Sequence, residues 1–321
     1  MITTAFTELV GCRHPLQQAG MGGAATPALA EAVAGAGCLG MLAMSTASVD
    51  AVTAALSAVS ASSPGPIGIN FLMPFLNRDA VCAAASAGAR VVEFFYDTPS
   101  AALVEMVHSE GALAAWQVGS VTEAQQAVDA GCDLVVAQGS EAGGHVRGTV
   151  GLLTLLDGVL DAVEVPVVAA GGIASGRSMA AVLAAGASAA RVGTRFLAAS
   201  EADVHPEYLE LLVGADAEDT VLTETFSVYW PNAPHRVLRS AMEAALAFDG
   251  EVVGETVHGG RRVPLPRLAV PGPSRATTGT IGAMALYAGQ SVGAVHRAEP
   301  AASIVASIVE EAERLLGAWR R

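Results

Sequence analysis

The segment AQGSEAGGHVRG contains the residue best suited to proton transfer in this chain. It places His145 directly after the glycine pair Gly143-Gly144, at the end of an apolar run that predicts a strand. A histidine that follows two flexible glycines can reach over a bound ring, and its usual pKa suits proton transfer near neutral pH. An isolated histidine is more often structural, but the position at a strand end favours function. We therefore predict that His145 is the catalytic acid–base residue.

Two glycine turns further along the chain predict a phosphate site. The stretch from Val165 to Ala199 is typical of a strand, a glycine turn, a helix and a second strand, with Gly171-Gly172 after the first strand and Gly193-Thr194 after the second. Backbone N–H groups without side chains beside them bind phosphate. In (β/α)8 barrels the loops after strands 7 and 8 form such a site, so these are predicted to be the last two strands. Glycines that serve only the turns are the alternative for either pair alone.

The other predicted strand ends contain amides and glycines in place of carboxylates. Asn70, Gln117 and Gln138 can donate to and accept from a polar heterocycle. Glycine-rich backbone after the first strand would let a flat ring lie against the chain, at Ala19, Gly20, Met21 and Gly22. Together with the phosphate turns, this combination predicts flavin mononucleotide (FMN) as the cofactor. For each amide alone, a structural role is an equally good interpretation.

Several other chemistries are disfavoured by the same positions. Paired acids for sugar hydrolysis are missing from the predicted strand ends, and so are the oxygen or nitrogen clusters of a divalent-metal enzyme. The four cysteines show no metal-like spacing and are expected to be core thiols, at Cys12, Cys38, Cys82 and Cys132. Arg147 could steady an anionic substrate or be an ordinary solvated arginine. Of the remaining histidines, His14 is expected to be structural, whereas the others, His235 among them, are expected to have surface roles.

A repeated pattern indicates how these residues are positioned. Ala-Gly followed by a small residue closes a helical pattern and opens an apolar run, for example at Ala36-Gly37-Cys38 and Ala185-Gly186-Ala187, as in a train of helix–strand units. Short apolar runs of this kind are buried on both faces, as parallel strands are. Eight units predict an α/β TIM (β/α)8 barrel, with an open doubly wound sheet as the alternative. The predicted strands are Leu16–Ala19, Leu39–Ala43, Ile67–Phe71, Val91–Phe95, Leu113–Gln117, Leu134–Ala137, Val167–Ala170 and Ala189–Val192.

The helix–strand rhythm stops after the eighth strand. We assign residues 1–202 to the first part of an FMN-binding barrel and residues 203–275 to a small, mainly helical insertion that covers the barrel mouth as a substrate or lid domain. A helix is predicted around Arg236 to Phe248 within the insertion. Residues 276–321 are predicted to complete the barrel with returning helices, over Thr277–Val295 and Ala301–Trp319.

Composition narrows the class of protein and its partners. The chain has 321 residues, 52% of them hydrophobic and 15% charged, and its net charge is −14. That charge disfavours a nucleic-acid surface, which needs clustered Lys and Arg. No stretch resembles a membrane span and no secretory signal is evident, so a cytoplasmic protein with a small-molecule substrate is expected. A homodimer is kept as a hypothesis for its assembly.

Six motifs resemble those of the nitronate monooxygenase family, formerly 2-nitropropane dioxygenases, which is related to flavin-dependent enoyl-carrier-protein reductases and NADH:quinone reductases. They are QAGMGG, GINF, AQGSEAGGH, AAGGIASG, VGTRF and YAGQSVG. One departure is Gly20, where many members have proline before the methionine. The resemblance implies an FMN-bearing TIM barrel with an inserted substrate domain, and it implies that His145 matches the catalytic histidine. It also supports the flavin contacts predicted above. The last motif returns near the barrel mouth, and that position makes Tyr287, Gln290 and Ser291 candidate cofactor residues.

Three functions are therefore open at this point. The first is oxidation of alkyl nitronates with O2 to carbonyl compounds and nitrite, with FMN as the cofactor. The second is an NAD(P)H-dependent FMN reductase that acts on an enoyl thioester or a quinone, with NAD(P)H as co-substrate. The third is a non-redox phosphate-binding barrel, although no lysine lies at a strand end to serve as a Schiff-base nucleophile.

Overall fold

Eight parallel strands form the centre of the protein in a computed structural model that describes residues 2–62, 65–258 and 260–319. We number these barrel strands β1 to β8; each pairs with its neighbour in parallel, and backbone bonds between β1 and residue Leu39 join β2 to β1. The predicted closed barrel is confirmed, and the open sheet is not formed. The strands are β1 Leu16–Gln18, β2 Gly40–Ala43, β3 Ile67–Leu72, β4 Val91–Phe95, β5 Leu113–Val118, β6 Leu134–Gln138, β7 Val167–Ala170 and β8 Ala189–Val192.

Helices surround the barrel and follow the order expected from the sequence. Thr26 and Ser120 accept hydrogen bonds from the third residue of their helices, as threonine and serine commonly do at a helix N-cap. The N-terminal helix has a different role: its Phe6 and Val10 pack with the inward-facing residues at the N-terminal end of the barrel and close that end. The helices of this layer are Ala5–Val10, Pro27–Gly35, Val49–Ser62, Arg78–Ser86, Ala101–Ser109, Val121–Asp129, Leu152–Ala162, Gly176–Ala184, Thr194–Leu197 and Ala301–Trp319.

The insertion after β8 is present but is less helical than the sequence suggested. Two helices, Pro206–Val213 and Arg239–Ala247, alternate with two antiparallel strand pairs. β-branched residues on half-buried backbone explain the difference, because valine and threonine favour strands. The pairs are Thr220–Thr223 with His235–Leu238, and Val252–His258 with Arg261–Pro266.

The segment that returns to the barrel also differs from its prediction. Residues 277–295 do not form the predicted helix; they contain a short strand, Thr278–Gly279, and the 3-10 turns Ile281–Ala283 and Gln290–Ala294. Close packing accounts for this at Gly279, whose φ is +118° and where an added Cβ would lie 2.4 Å from the Val253 carbonyl oxygen. The second predicted helix, Ala301–Trp319, is confirmed.

Candidate active site

The loop that carries His145 is held by the insertion as well as by the barrel. Gly144 and His145 form a two-residue strand that pairs antiparallel with the insertion strand His235–Leu238, so that His145 lies opposite His235. The Val146 N–H donates to the Pro234 carbonyl oxygen at 2.8 Å. Gly144 has a φ of +76°, which a side chain would disfavour. The position of His145 therefore depends on a contact between segments about 90 residues apart in the sequence.

Aromatic rings surround the His145 imidazole. Trp230 stacks on it with ring centroids 3.9 Å apart and an interplanar angle of 20°, while Tyr96 meets it edge-on at 6.0 Å and Tyr287 lies at 5.7 Å. The His145 Nε2 atom is buried and has no hydrogen-bond partner among the described residues. Burial, with a smaller effect of nearby His235, lowers the pKa of His145 to about 3. The imidazole is consequently neutral near pH 7.

His235 is a buried structural residue, which corrects the expectation of a surface role. Its Nε2 accepts from the Phe226 N–H at 3.2 Å, so its Nδ1 bears the proton and donates to the Ala233 carbonyl oxygen at 2.8 Å. Only 1% of the residue is exposed. Because both ring nitrogens bind backbone, His235 fixes the strand against which His145 pairs.

The turn that carries Trp230 has an uncommon backbone conformation. Tyr229 and Asn232 adopt φ values of +82° and +56°, in the left-handed region that few residues with side chains occupy. Backbone bonds from Val228 to Leu268 and from Val270 back to Val228 hold one side of this turn. Strain that is maintained in this way is typical of functional sites.

The three predicted amides all lie at the C-terminal ends of barrel strands, and all are buried. Gln138 Nε2 donates to the His145 carbonyl oxygen at 3.0 Å, and its Oε1 is buried without a partner among the described residues. Asn70 Nδ2 donates to Glu93 Oε1 at 2.7 Å, whereas Gln117 Oε1 accepts from Arg191 Nη1 at 2.6 Å. The barrel therefore gathers the amides as predicted, and it connects two of them to charged residues that the sequence analysis missed.

Those missed residues, Glu93 and Arg191, form an ion pair inside the barrel. Glu93 is fully buried, Arg191 is 6% exposed, and Arg191 Nη2 donates to Glu93 Oε2. Gln17 Nε2 donates to the same oxygen at 3.2 Å. Burial lowers the pKa of Arg191 to about 9, which leaves it charged at neutral pH. The available signal was a charged residue in the middle of each apolar run, VVEFF and AARV.

The two glycine turns lie side by side because β7 and β8 are neighbours. Gly171 and Gly172 have φ values of +105° and +69°. No hydrogen bond between described residues uses the N–H groups of Gly172, Gly193 or Thr194. These unpaired donors at one rim, with the buried unpaired oxygen of Gln138, fit the phosphate and polar ring of FMN.

The last motif lies against this rim. Gly289 N–H donates to Thr194 Oγ1 at 3.0 Å, and Gln290 N–H donates to the Glu141 carbonyl oxygen at 2.9 Å. A Cβ at Gly143 would lie 2.4 Å from the Gly289 nitrogen, so this approach requires glycine. Tyr287 donates its hydroxyl to the Val270 carbonyl oxygen at 2.7 Å, which ties the insertion to the mouth.

The remaining predicted residues differ in exposure. Gln290 and Gly22 are exposed, and four others are half-buried at the rim: Ala19, Gly20, Met21 and Ser291. An added Cβ at Gly20 would lie 2.7 Å from Asn70 Cβ, which explains why this chain has glycine at that position.

Arg147 is paired within the protein. Its Nε lies 2.5 Å from Glu123 Oε1, and its guanidinium carbon lies 5.8 Å from the centre of the Tyr96 ring. Arg147 is thus paired with Glu123, and a role in steadying an anionic substrate stays a prediction. The side chains that surround His145 are aromatic.

Two further findings apply to the described residues. None of their His, Cys, Asp and Glu side chains form a group suited to a metal ion. None of their helices is both long and apolar enough to cross a membrane.

Of the cysteines, Cys38 and Cys132 are buried as expected, whereas Cys12 and Cys82 are partly exposed.

Comparison with known proteins places this geometry in context. A family model described as nitronate monooxygenase matches residues 3–80 and 73–311. A Rhodococcus jostii (strain RHA1) protein named (3aS,4S,5R,7aS)-5-hydroxy-7a-methyl-1-oxo-octahydro-1H-indene-4-carboxyl-CoA dehydrogenase is 34% identical over 79% of this chain and 70% of its own length. FabK from Thermotoga maritima is 30% identical with a TM-score of 0.81, covering 100% of this chain and 99% of that one. Nitroalkane oxidase from Streptomyces ansochromogenes is 28% identical with a TM-score of 0.78, covering 98% and 100%.

Proposed function

The chain belongs to the nitronate monooxygenase family, and on that premise we propose that it is an FMN-dependent oxidoreductase in which His145 handles the proton. The observation that carries the proposal is the buried Nε2 of His145 and the buried Oε1 of Gln138, neither of which has a hydrogen-bond partner among the described residues. Buried polar atoms in native proteins are normally hydrogen-bonded, so these two atoms support the binding of a polar ligand at this end of the barrel.

The chain would hold FMN at three places. The N–H groups of Gly172, Gly193 and Thr194 would bind the phosphate, and the backbone from Ala19 to Gly22 would lie along the ring. Asn70, Gln117 and Gln138 would contact the polar edge of the ring. When bound, FMN supplies an acceptor or donor of two electrons.

The first candidate reaction is the oxidation of an alkyl nitronate, or of the neutral nitroalkane, with O2 to a carbonyl compound and nitrite. His145 would be the residue that takes the proton from the carbon of a nitroalkane. Trp230 would hold the His145 imidazole in one orientation. Trp230 and Tyr96 together would exclude water from that imidazole.

A second candidate is an NAD(P)H-dependent FMN reductase of an enoyl thioester or quinone. A specific observation favours it: the mouth is aromatic, Arg147 is neutralised by Glu123, and His145 is uncharged. Among the described residues, the rings that surround His145 carry no positive charge that could pair with an anionic nitronate, whereas an uncharged acyl group would need none. The similarity to a carboxyl-CoA dehydrogenase and to FabK agrees with this candidate.

Anaerobic mixing of the FMN-loaded protein with single reductants separates the candidates. Bleaching of the flavin by ethylnitronate, with no response to NADH or NADPH, supports nitronate oxidation. Rapid bleaching by NADH or NADPH, with reoxidation by an enoyl thioester or quinone, supports the reductase. A protein that is purified without colour and does not bind FMN would contradict both and would leave a non-redox barrel.

A further inference from the structure

The buried ion pair in the barrel controls which atoms the amides present. Glu93 on β4 lies beside Asn70 on β3 in the strand register, and Arg191 on β8 lies beside Gln17 on β1. The pair therefore bridges strands on opposite sides of the barrel. The pair lies inside the barrel, where Glu93 is fully buried and Arg191 is 6% exposed.

The chemistry of the two charges fixes the orientation of each amide. An ionised carboxylate only accepts hydrogen bonds, so Asn70 must turn its NH2 group towards Glu93. A guanidinium only donates, so Gln117 must turn its oxygen towards Arg191. No hydrogen bond between described residues uses Asn70 Oδ1 or Gln117 Nε2. The barrel thus offers one fixed acceptor and one fixed donor at its C-terminal end.

We propose that Glu93 and Arg191 are positioning residues that set the polarity with which Asn70 and Gln117 bind the pyrimidine edge of FMN. This inference rests on the proposed function. That edge of the flavin presents an N3–H donor between two carbonyl acceptors, so Asn70 Oδ1 is the group that accepts from N3–H. Gln117 Nε2 is the group that donates to a flavin carbonyl.

A role in stability alone explains the pair less well. Replacing a buried ion pair by matched neutral residues is often neutral or stabilising, so such a pair is weak support for the fold. Moreover, Arg191 Nε and Gln17 Oε1 are buried without partners among the described residues. Unpaired buried polar atoms cost folding free energy, so these two weaken the network as a support for the fold.

The test compares FMN with N3-methyl-FMN, which lacks the N3–H donor. Dissociation constants are measured by quenching of flavin fluorescence on titration with the apoprotein. The unaltered chain is expected to bind N3-methyl-FMN at least about tenfold more weakly than FMN, the scale of one hydrogen bond. This measurement uses the unaltered chain, so misfolding of a variant cannot affect it.

Two variants then ask whether the pair sets the polarity. In Glu93→Gln, and in the double variant Glu93→Gln with Arg191→Gln, residue 93 can donate as well as accept, so Asn70 can rotate. We expect weaker FMN binding, a selectivity against N3-methyl-FMN reduced to less than about threefold, and a shifted midpoint potential of the bound flavin. The double variant avoids an unpaired buried charge and is the one expected to fold well.

Asp133→Asn is the matched control. Asp133 accepts from the Ala114 N–H at 2.7 Å at the opposite end of the barrel and pairs with His108 on the surface. It should lower thermal stability without changing flavin selectivity or potential. If the unaltered chain binds FMN without discriminating against the N3-methyl analogue, or if the pair variants behave like Asp133→Asn, the inference is wrong while the proposed function stands. If the unaltered chain does not bind FMN, both are wrong.

Discussion

At the scale of single residues, two features distinguish His145: its loop extends across the barrel mouth, and its ring is uncharged. Gly143 and Gly144 let the loop cross the mouth, and Trp230 covers one face of the imidazole. Burial disfavours the protonated form, so the imidazole is uncharged near pH 7. These properties lead to two predictions about this residue.

Replacing His145 with Ala is expected to preserve the yellow colour of the FMN-loaded protein and to reduce turnover by about 10²-fold or more, the usual scale for a general base. Steady-state kinetics and the flavin spectrum measure the two effects. His296→Ala, which alters an exposed histidine, is the control. Unchanged turnover in His145→Ala would remove His145 from its proposed role.

The lowered pKa of His145 also predicts a dependence of stability on pH. Its folded value of about 3 lies below its usual 6.5, so the unfolded chain binds the proton more tightly. The stabilisation is therefore complete above pH 6.5 and is lost as the pH falls from about 6.5 to about 3. Thermal unfolding across this interval should show a shallower acid decline in His145→Gln. Parallel curves for both proteins would contradict the shift.

At the scale of elements, the insertion determines the geometry of a barrel loop. The strand His235–Leu238 pairs with Gly144–His145, and Tyr287 and Trp230 approach the same imidazole from other segments. The mouth is consequently assembled from the barrel, the insertion and the returning segment. Changes in any of these elements should affect catalysis.

His235→Ala tests this coupling. The substitution leaves the Phe226 N–H and the Ala233 carbonyl without their partner, so the free energy of unfolding should fall by about 2 kcal/mol. Turnover should also fall, because the strand opposite His145 loses its anchor. Urea unfolding and steady-state kinetics measure these effects, again against His296→Ala. A loss of stability with unaltered turnover would show that the insertion does not position His145.

The glycine turn after β7 gives the second prediction at this scale. Gly172→Ala adds a Cβ whose nearest protein atom is 3.6 Å away, so the protein can accommodate it although φ is +69°. A phosphate at this turn would be crowded, and FMN affinity should fall about tenfold while riboflavin affinity is retained. Gly88→Ala introduces similar backbone strain at φ +93°, in open space remote from the mouth. Equal losses for FMN and riboflavin would argue against a phosphate here.

At the scale of the whole molecule, the net charge of −14 opposes an anionic ligand. Local N–H donors can bind the phosphate once it arrives, but the long-range field slows its approach. Between about 0.01 M and 0.3 M salt, the association rate of FMN should rise about threefold as screening shortens the field. Stopped-flow quenching measures this rate, with uncharged riboflavin as the comparison. An FMN rate that does not change, or falls, with added salt would contradict it.

The sequence by itself determined the barrel and much of its rim. The eight strands were located to within about one residue at each end, because they are short, mostly apolar runs and several of them follow a helix-ending glycine. The amides and glycine turns were found because the C-terminal ends of parallel barrel strands meet at one rim. These features repeat locally, so no long-range contact is needed to recognise them.

Only the tertiary structure decided which side chains pair inside the barrel below that rim and which side chains cover the rim from the insertion. Glu93 and Arg191 lie 98 residues apart and became partners only when the barrel closed. His235 reached His145 through strand pairing and Trp230 through ring stacking, both from an insertion that has no repeating pattern. A segment's own sequence specifies its local conformation, whereas which distant side chains neutralise, cover or orient one another depends on how the chain packs.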